Sequence, residues 1–422
     1  MESTPPDQPH TAWPAPVRAL AHRNFRLYFA GQAVSILGTW VQQVALSWLV
    51  YRLTGSVALL GVTTFAALLP QLVVGPLAGA WVDRHDKRRL LIVVQGLLTV
   101  QALALSLLTA ADEIGPALIV AMSVLLGVLN AFDTPLRQSL INSFVGRRAD
   151  LPNALALNAM LFNSGRFVGP PLAGLLVGLT SEALCFALNA ASFLALMIGL
   201  LLIRVEAPPR ATGSMAHVFR EGLVYAWTVY PIRMLIVVLA AVNITASSYA
   251  VLLPVFAKDI FGGDATTLGW LWGAAGCGAF ASTVFLATRK SLPGLVNVVL
   301  FGAGLGAAAL LAFAFNRQPV VALGVMTLLG FGISVCNVGI NMLLQSLAPD
   351  QLRGRVVSFF TSTRFGFDAI GGLLAGLLAA GIGAPAALFL EGLLLAGFVA
   401  WFVGLRGRLG AEVAAGTAVG AQ

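Results

Sequence analysis

Charge is scarce in this chain: only 10% of its 422 residues are Asp, Glu, Lys or Arg, where an ordinary soluble domain carries about 25%. Cysteine is scarcer still. The three, Cys185, Cys277 and Cys336, stand in apolar surroundings with neither CxxC spacing nor a neighbouring histidine cluster. That excludes a metal site and a disulfide framework and leaves them as small packing residues. No Walker-type phosphate loop, no GxGxxG turn after a strand and no nucleophile elbow occurs, so ATP hydrolysis and soluble-type enzyme activity are disfavoured and no cofactor is expected. The stretch from Met1 to Asn24 is proline-rich, carries charge of both signs and lacks an apolar run ahead of a small-residue cleavage site. It reads as a cytosolic tail rather than a signal peptide.

What fills the chain instead is apolar: 58% of residues are hydrophobic, against roughly 45 to 50% in soluble proteins. Spread along the whole length, that excess implies many membrane crossings, each needing about 20 mostly apolar residues. Forty-five glycines suit close approach of the helices. The net charge of +8 raises the question of nucleic acid. The basic residues, however, lie in short loops between apolar runs and form no continuous patch, so topology explains them better.

Apolar runs between polar punctuation predict helices over 25–50, 57–81, 89–110, 115–134, 155–179 and 183–203, and, after a polar stretch, over 231–256, 266–287, 293–315, 318–341, 356–381 and 384–405. The expected fold is all-helical, with twelve membrane spans. The positive-inside rule tests that count, because a missed span would move every later loop to the wrong side. Of the 25 basic residues, 20 fall in the amino-terminal segment, the even-to-odd loops and the tail. Arg52, Lys258 and Arg317 fall on the other side, and Arg166 and Arg364 lie within spans. Both termini are therefore expected in the cytoplasm.

The stretch 204–230 contains Pro208 and Pro209, then Phe219, Leu223, Tyr225 and Trp227 among charged residues, which suits an amphipathic helix on the cytoplasmic surface. It divides the chain into a tail (1–24), a six-helix unit (25–203), this linker, a second six-helix unit (231–405) and a carboxy-terminal tail (406–422). The segments GPPLAGLLVG at 169–178 and GGLLAGLLAA at 371–380 each follow a basic loop, about 200 residues apart, as duplicated halves require. Such parallel repeats form two pseudo-symmetric bundles with a substrate site between them.

Between the second and third spans stands GAWVDRHDKRR, Gly79 to Arg89. A carboxylate at a membrane boundary can accept charge-assisted hydrogen bonds across the cytoplasmic mouth, forming a breakable latch; the alternative is that the basic cluster only sets topology. The segment resembles the loop signature of the major facilitator superfamily. Gly79, Asp83, Arg84, Lys87 and Arg88 match it, and Asp86 stands where the family has a second glycine. The resemblance implies that Asp83 and Arg84 hold the outward-open state, with Asp133 as a partner. GRFVGPPLAG, with Gly165, Gly169, Pro170 and Gly174, is similar to the fifth-helix motif of the superfamily's antiporters, except that Ala173 replaces a glycine. That likeness implies export. The small residues and the proline also serve as a packing face or hinge without any transport direction.

More narrowly, the run from Arg23 to Ser56, FDTPLRQSLI at 132–141 and Asn153 to Pro170 resemble a bacterial branch that includes the enterobactin exporter.

Ionisable residues inside spans are functional candidates by default: Arg166, Arg364, Asp368 and Glu391 qualify. Arg166 and Asp368 occupy equivalent places in the two halves, which makes a charge pair across the halves one reading. Arg364 and Asp368 are four apart and face each other on one helix, which makes a local ion pair the other. Proton coupling needs a carboxylate that loads and releases a proton, with Asp368 the first candidate and Glu391 the second. Trp40, Gln42, Gln43, Asn163, Asn243, Asn337 and Asn341 either line a cavity or hold helices together. The whole reads as a secondary transporter that exports an amphipathic, drug-like or siderophore-like molecule in exchange for protons, and the family resemblance implies a monomer. An importer or uniporter of the same fold, and a non-transporting membrane sensor, are the other readings.

Overall fold

The computed structural model describes residues 14–82, 84–203, 227–246, 248–289 and 294–419. Asp83, most of the linker and the first residues of the tail thus lie outside the described residues, and with them the amphipathic linker helix.

The described chain is helical almost throughout. Its helices are α1 (Arg23–Thr54), α2 (Val57–Val73), α3 (Gly75–Val82), α4 (Lys87–Ala110), α5 (Pro116–Phe144), α6 (Leu151–Leu179), α7 (Glu182–Leu202), α8 (Tyr230–Ala246), α9 (Ser248–Val255), α10 (Ala265–Ala287), α11 (Leu295–Phe315), α12 (Pro319–Leu347), α13 (Asp350–Ile382) and α14 (Ala384–Val419). Among the described residues ten helical stretches are long and apolar enough to cross a membrane, with Tyr230–Ile260 counted as one. Two expected spans are not among the ten. The run 57–81 is split at Val74, two residues before Pro76, whose missing amide cannot bond the Leu72 carbonyl. The run 155–179 is one unbroken helix, α6, diluted in apolar character by Asn158, Asn163, Ser164 and Arg166.

Polar residues at the helix starts fix the ends of these rods. Asp86, in the place of the family's glycine, caps α4 by accepting from the amides of Arg88 and Arg89, both at 3.1 Å. Asp264 caps α10 in the same way, through Thr266 at 2.9 Å and Thr267 at 3.1 Å. Gly55, at φ 59°, closes α1 in the left-handed region that a glycine reaches without strain.

Several helices outrun their predicted ends. The fourth expected span, ended at 134, continues as α5 to Phe144 with Pro135 inside it, since a membrane helix tolerates a proline whose freed carbonyl finds other partners. The last helix runs to Val419, where a tail was expected from 406. Its extension packs Leu409 and Val413 into the core and lays Arg408 over the Tyr230 ring at 4.3 Å.

α1 packs on α6 and α7, α4 on α5 and α7, and α2 on α5; later in the chain α12 lies between α10 and α11, while α8 and α11 pack on α14. Two contacts dominate between the early and late helices, α2 with α13 and α6 with α10. Many large apolar side chains, Val100, Leu107, Phe301, Phe315 and Val320 among them, are exposed on the outside. A lipid solvent accounts for that surface.

Apolar packing is not uniform along the bundle. At the end away from the basic loops, Trp48, Leu49, Leu60, Val177 and Phe186 join one continuous cluster with Leu252, Phe256, Leu268 and Leu271. At the basic end, Phe25, Leu91, Leu136, Phe144, Leu157 and Leu196 cluster only with other residues of 17–203.

Candidate substrate cavity and its flanking polar clusters

A cavity of about 270 Å³ opens beside α1, bounded by α2, α5 and α7 and closed on the far side by Ala250 and Val251 of α9 and Trp272 of α10. Thr39, Gln43 and Ser47 line it from α1, Thr63, Thr64 and Gln71 from α2, and Asn130 from α5. The hydroxyls of Thr39, Ser47, Thr63 and Thr64 donate to carbonyls of their own helices at 2.8 to 3.0 Å, so only their acceptor lone pairs face outward. Gln42 also reaches the lining but is engaged on both sides: it donates to Gln101 at 3.3 Å and accepts from Asn189 at 2.8 Å.

Of the residues expected to line a cavity, Gln42 and Gln43 do. Trp40 lies next to it, its ring meeting the Trp272 ring edge-on at 5.8 Å. Asn243 and Asn337 are buried and tie α8 to α12 through a 3.2 Å hydrogen bond. Asn341 accepts from Gln345 of its own helix at 3.1 Å. Asn163 sits on α6 outside the lining.

Three of the intramembrane charges gather near Tyr249, whose ring meets the cavity's Trp272. Tyr249 packs on Trp272 at 6.4 Å, and Arg364 lies within electrostatic reach of Asp368, Arg166 and Tyr249. The structure thus gathers Arg166 of α6 with Arg364 and Asp368 of α13, without bringing any of them into the cavity lining. Glu391 is buried on α14, also away from the cavity.

At the basic end, Asp133 is buried and both its oxygens are engaged within the early helices: Gln95 donates to one at 2.6 Å and Arg137 to the other at 2.5 Å. Arg137 also donates to Gln32 of α1. Arg137, Gln32 and Gln95 were missed in the sequence, because Arg137 fell beyond the predicted end of its helix. Its spacing of four from Asp133 was the available signal. Arg88 donates to the last carbonyls of α7, Leu200 at 2.9 Å and Leu201 at 3.0 Å. Gly79 lies within α3, Arg84 in the turn after it and Lys87 at the start of α4.

A second cluster, unforeseen in the sequence, stands at the opposite end. After α9 the backbone forms a π turn, Phe256–Ile260, with the Phe261 amide bonding the Phe256 carbonyl at 2.9 Å. The extra residue in that turn carries Asp259 to the Tyr51 hydroxyl of α1, which donates to it, and sets Lys258 over the Tyr51 ring at 5.5 Å. Beside it Arg52 grips Glu182 with two hydrogen bonds, at 2.7 and 3.3 Å.

The glycines of α6 form two contacts. A Cβ on Gly165 or Gly169 would run into Ile36 or Trp40 of α1, at 2.2 and 2.5 Å. On another side Gly174 meets Gly269 of α10, where a Cβ on Gly269 would lie 2.6 Å from the Pro170 carbonyl oxygen and 2.9 Å from the Gly174 Cα. Gly376 of α13 meets Gly61 of α2 likewise, at 2.8 Å. In the paired segments GPPLAG and GGLLAG, Gly174 and Gly376 hold the same place.

The model of the transmembrane secretion effector family, one of the major facilitator families, matches residues 12–417. The chain belongs to the major facilitator superfamily. It is a multi-pass membrane transporter, not an enzyme. The staphyloferrin A transporter of Staphylococcus aureus is 25% identical to this facilitator over 84% of the chain and 89% of its own length. The multidrug efflux pump Tap of Mycolicibacterium fortuitum is 28% identical, over 87% and 92%, and the enterobactin exporter EntS of Shigella boydii 27%, over 85% and 86%. Among solved structures, a bacterial homologue of the human lysosomal transporter Spinster, inward-facing and unoccupied, aligns with a TM-score of 0.70 at 14% identity, over 93% of this chain and 98% of that one. The nucleoside transporter NupG aligns at 0.68, 13% identity, over 93% and 98%. At those identities the likeness is one of fold.

Proposed function

We propose that this facilitator exports a small amphipathic molecule from the cytoplasm in exchange for protons, by alternating access. The observation that carries the reading is the cavity at mid-height, sealed at one end by continuous apolar packing and flanked at the other by helices whose cores stay separate. Such a geometry admits substrate from the side of the basic loops, which the positive-inside rule assigns to the cytoplasm, together with both termini. In this reading α2 with α3, and α8 with α9, each make one span, giving twelve spans in two six-helix units, 25–203 and 231–405, joined by the 204–230 linker in a bacterial inner membrane. Duplication is supported by the interface itself. The contacts α2–α13 and α6–α10 exchange under a six-span shift, and Gly174 and Gly376 each meet a glycine of the other unit.

Export rather than import is supported by the efflux pumps and the siderophore exporter among the relatives. Asp368 is the proton carrier, with Arg166 and Arg364 as the charges it answers to when it ionises; Asp83 and Arg84 close the cytoplasmic mouth in the opposite state. The working unit in this reading is a monomer, as the resemblance to the superfamily implies. Cells expressing the wild-type chain or Asp368→Asn, with membrane protein levels matched, test this. Efflux of a dye panel should fall severalfold with an uncoupler and with the substitution alike. Efflux that ignores both would contradict proton exchange through Asp368.

A further inference from the structure

We infer that the cavity takes an uncharged molecule, an apolar body bearing carbonyl, hydroxyl or amide groups, and discriminates against both carboxylates and ammonium ions. The inference rests on reading the cavity as the transported substrate's site.

Three carboxamides carry it. Gln43 of α1, Gln71 of α2 and Asn130 of α5 all line the cavity, and none hydrogen-bonds another described residue. Gln43 is exposed although it lies in the middle of α1, among residues buried on either side. Each carboxamide offers donors and an acceptor and so pairs equally well with a carbonyl, a hydroxyl or an amide. The neighbouring hydroxyls, their hydrogens bonded to their own helices, add acceptors only. Leu46, Leu60, Leu68, Phe193 and Trp272 supply the apolar counterpart.

Equally telling is what the described lining lacks: no Lys, Arg, His, Asp or Glu belongs to it. A carboxylate or ammonium moved from water into such a site loses its hydration with no counter-charge to replace it. The charged groups of the interior stand outside the lining: Arg166, Arg364 and Asp368 gather in one cluster, Asp133 pairs with Arg137 on α5, and Glu391 lies on α14. Charge is thereby kept for coupling, and hydrogen bonding for the substrate.

Three dansyl congeners differing only in a terminal carboxamide, carboxylate or trimethylammonium group test the inference on purified full-length protein. Quenching of tryptophan fluorescence reports binding, and Trp272→Phe checks that the signal comes from this cavity. The carboxamide should half-saturate at a concentration at least tenfold below either ion. Gln43→Leu combined with Gln71→Leu should raise that concentration about tenfold, and Gln43→Glu should turn the preference toward the ammonium congener. Either ion binding as tightly as the carboxamide, or an unchanged preference in Gln43→Glu, overturns the inference. Efflux of the same congeners from cells separates the two readings. Binding as inferred without efflux supports the site and contradicts export, whereas efflux of the ions at the rate of the carboxamide supports export and contradicts the site.

Discussion

Asp133 and Arg137 are both buried, four residues apart on α5, and linked to two other helices through Gln95 and Gln32. Removing one partner of a buried pair leaves an uncompensated charge and costs about 3–5 kcal/mol. Arg137→Ala and Asp133→Ala should each lower the thermal unfolding midpoint in detergent far more than the double replacement by Met and Leu, which removes both charges; equal losses in all three would contradict the pairing. The sequence showed Asp133 but not its partner, because Asp-Thr-Pro reads as a helix end in water and as a continuing helix in lipid. Gln42 and Gln43 show a second limit. Adjacent residues on a helix point about 100° apart, so one is locked into the packing and the other is open to the cavity, and composition could not tell which.

At the scale of the helix, the contacts between early and late helices depend on reciprocal glycines. A methyl at Gly174 would sit 2.5 Å from the Ala265 carbonyl oxygen, whereas one at Gly397 meets nothing within 4 Å. Overpacking of this kind typically costs about 1–3 kcal/mol. Gly174→Ala and Gly376→Ala should therefore cut transport severalfold at unchanged expression, with Gly397→Ala as the silent control; a silent Gly174→Ala would contradict the close approach. The likeness of the two segments that contain Gly174 and Gly376 was legible in the sequence. Their partners Gly269 and Gly61 were not, since each lies in a plain apolar run and only the folded arrangement selects it. The π turn was equally invisible, because nothing in Phe256–Ile260 marks a register change.

Across the whole molecule, the all-helical, membrane-spanning character was readable because apolar runs are a global signal that survives local error, such as the split at Val74 or the long α5. Which end is closed was not readable, since that depends on contacts made over more than 200 residues of sequence. Tyr51 with Asp259 is one such contact. A hydrogen bond to a charged group contributes about 1.5–3 kcal/mol, so Tyr51→Phe should shift the balance toward opening at that end by roughly tenfold or more. A spin-label pair across the Tyr51 end should report a larger population of long distances, and an unchanged distribution would remove the contact from the gate.

Inside-out vesicles with an acidified lumen report whether a proton gradient drives substrate outward through this one chain. The purified protein should concentrate an uncharged dye in the lumen above its external level, lose that accumulation when an uncoupler is added, and in the Asp368→Asn form only equilibrate the dye. Wild-type protein that never exceeds equilibrium at any imposed gradient would contradict proton-driven export.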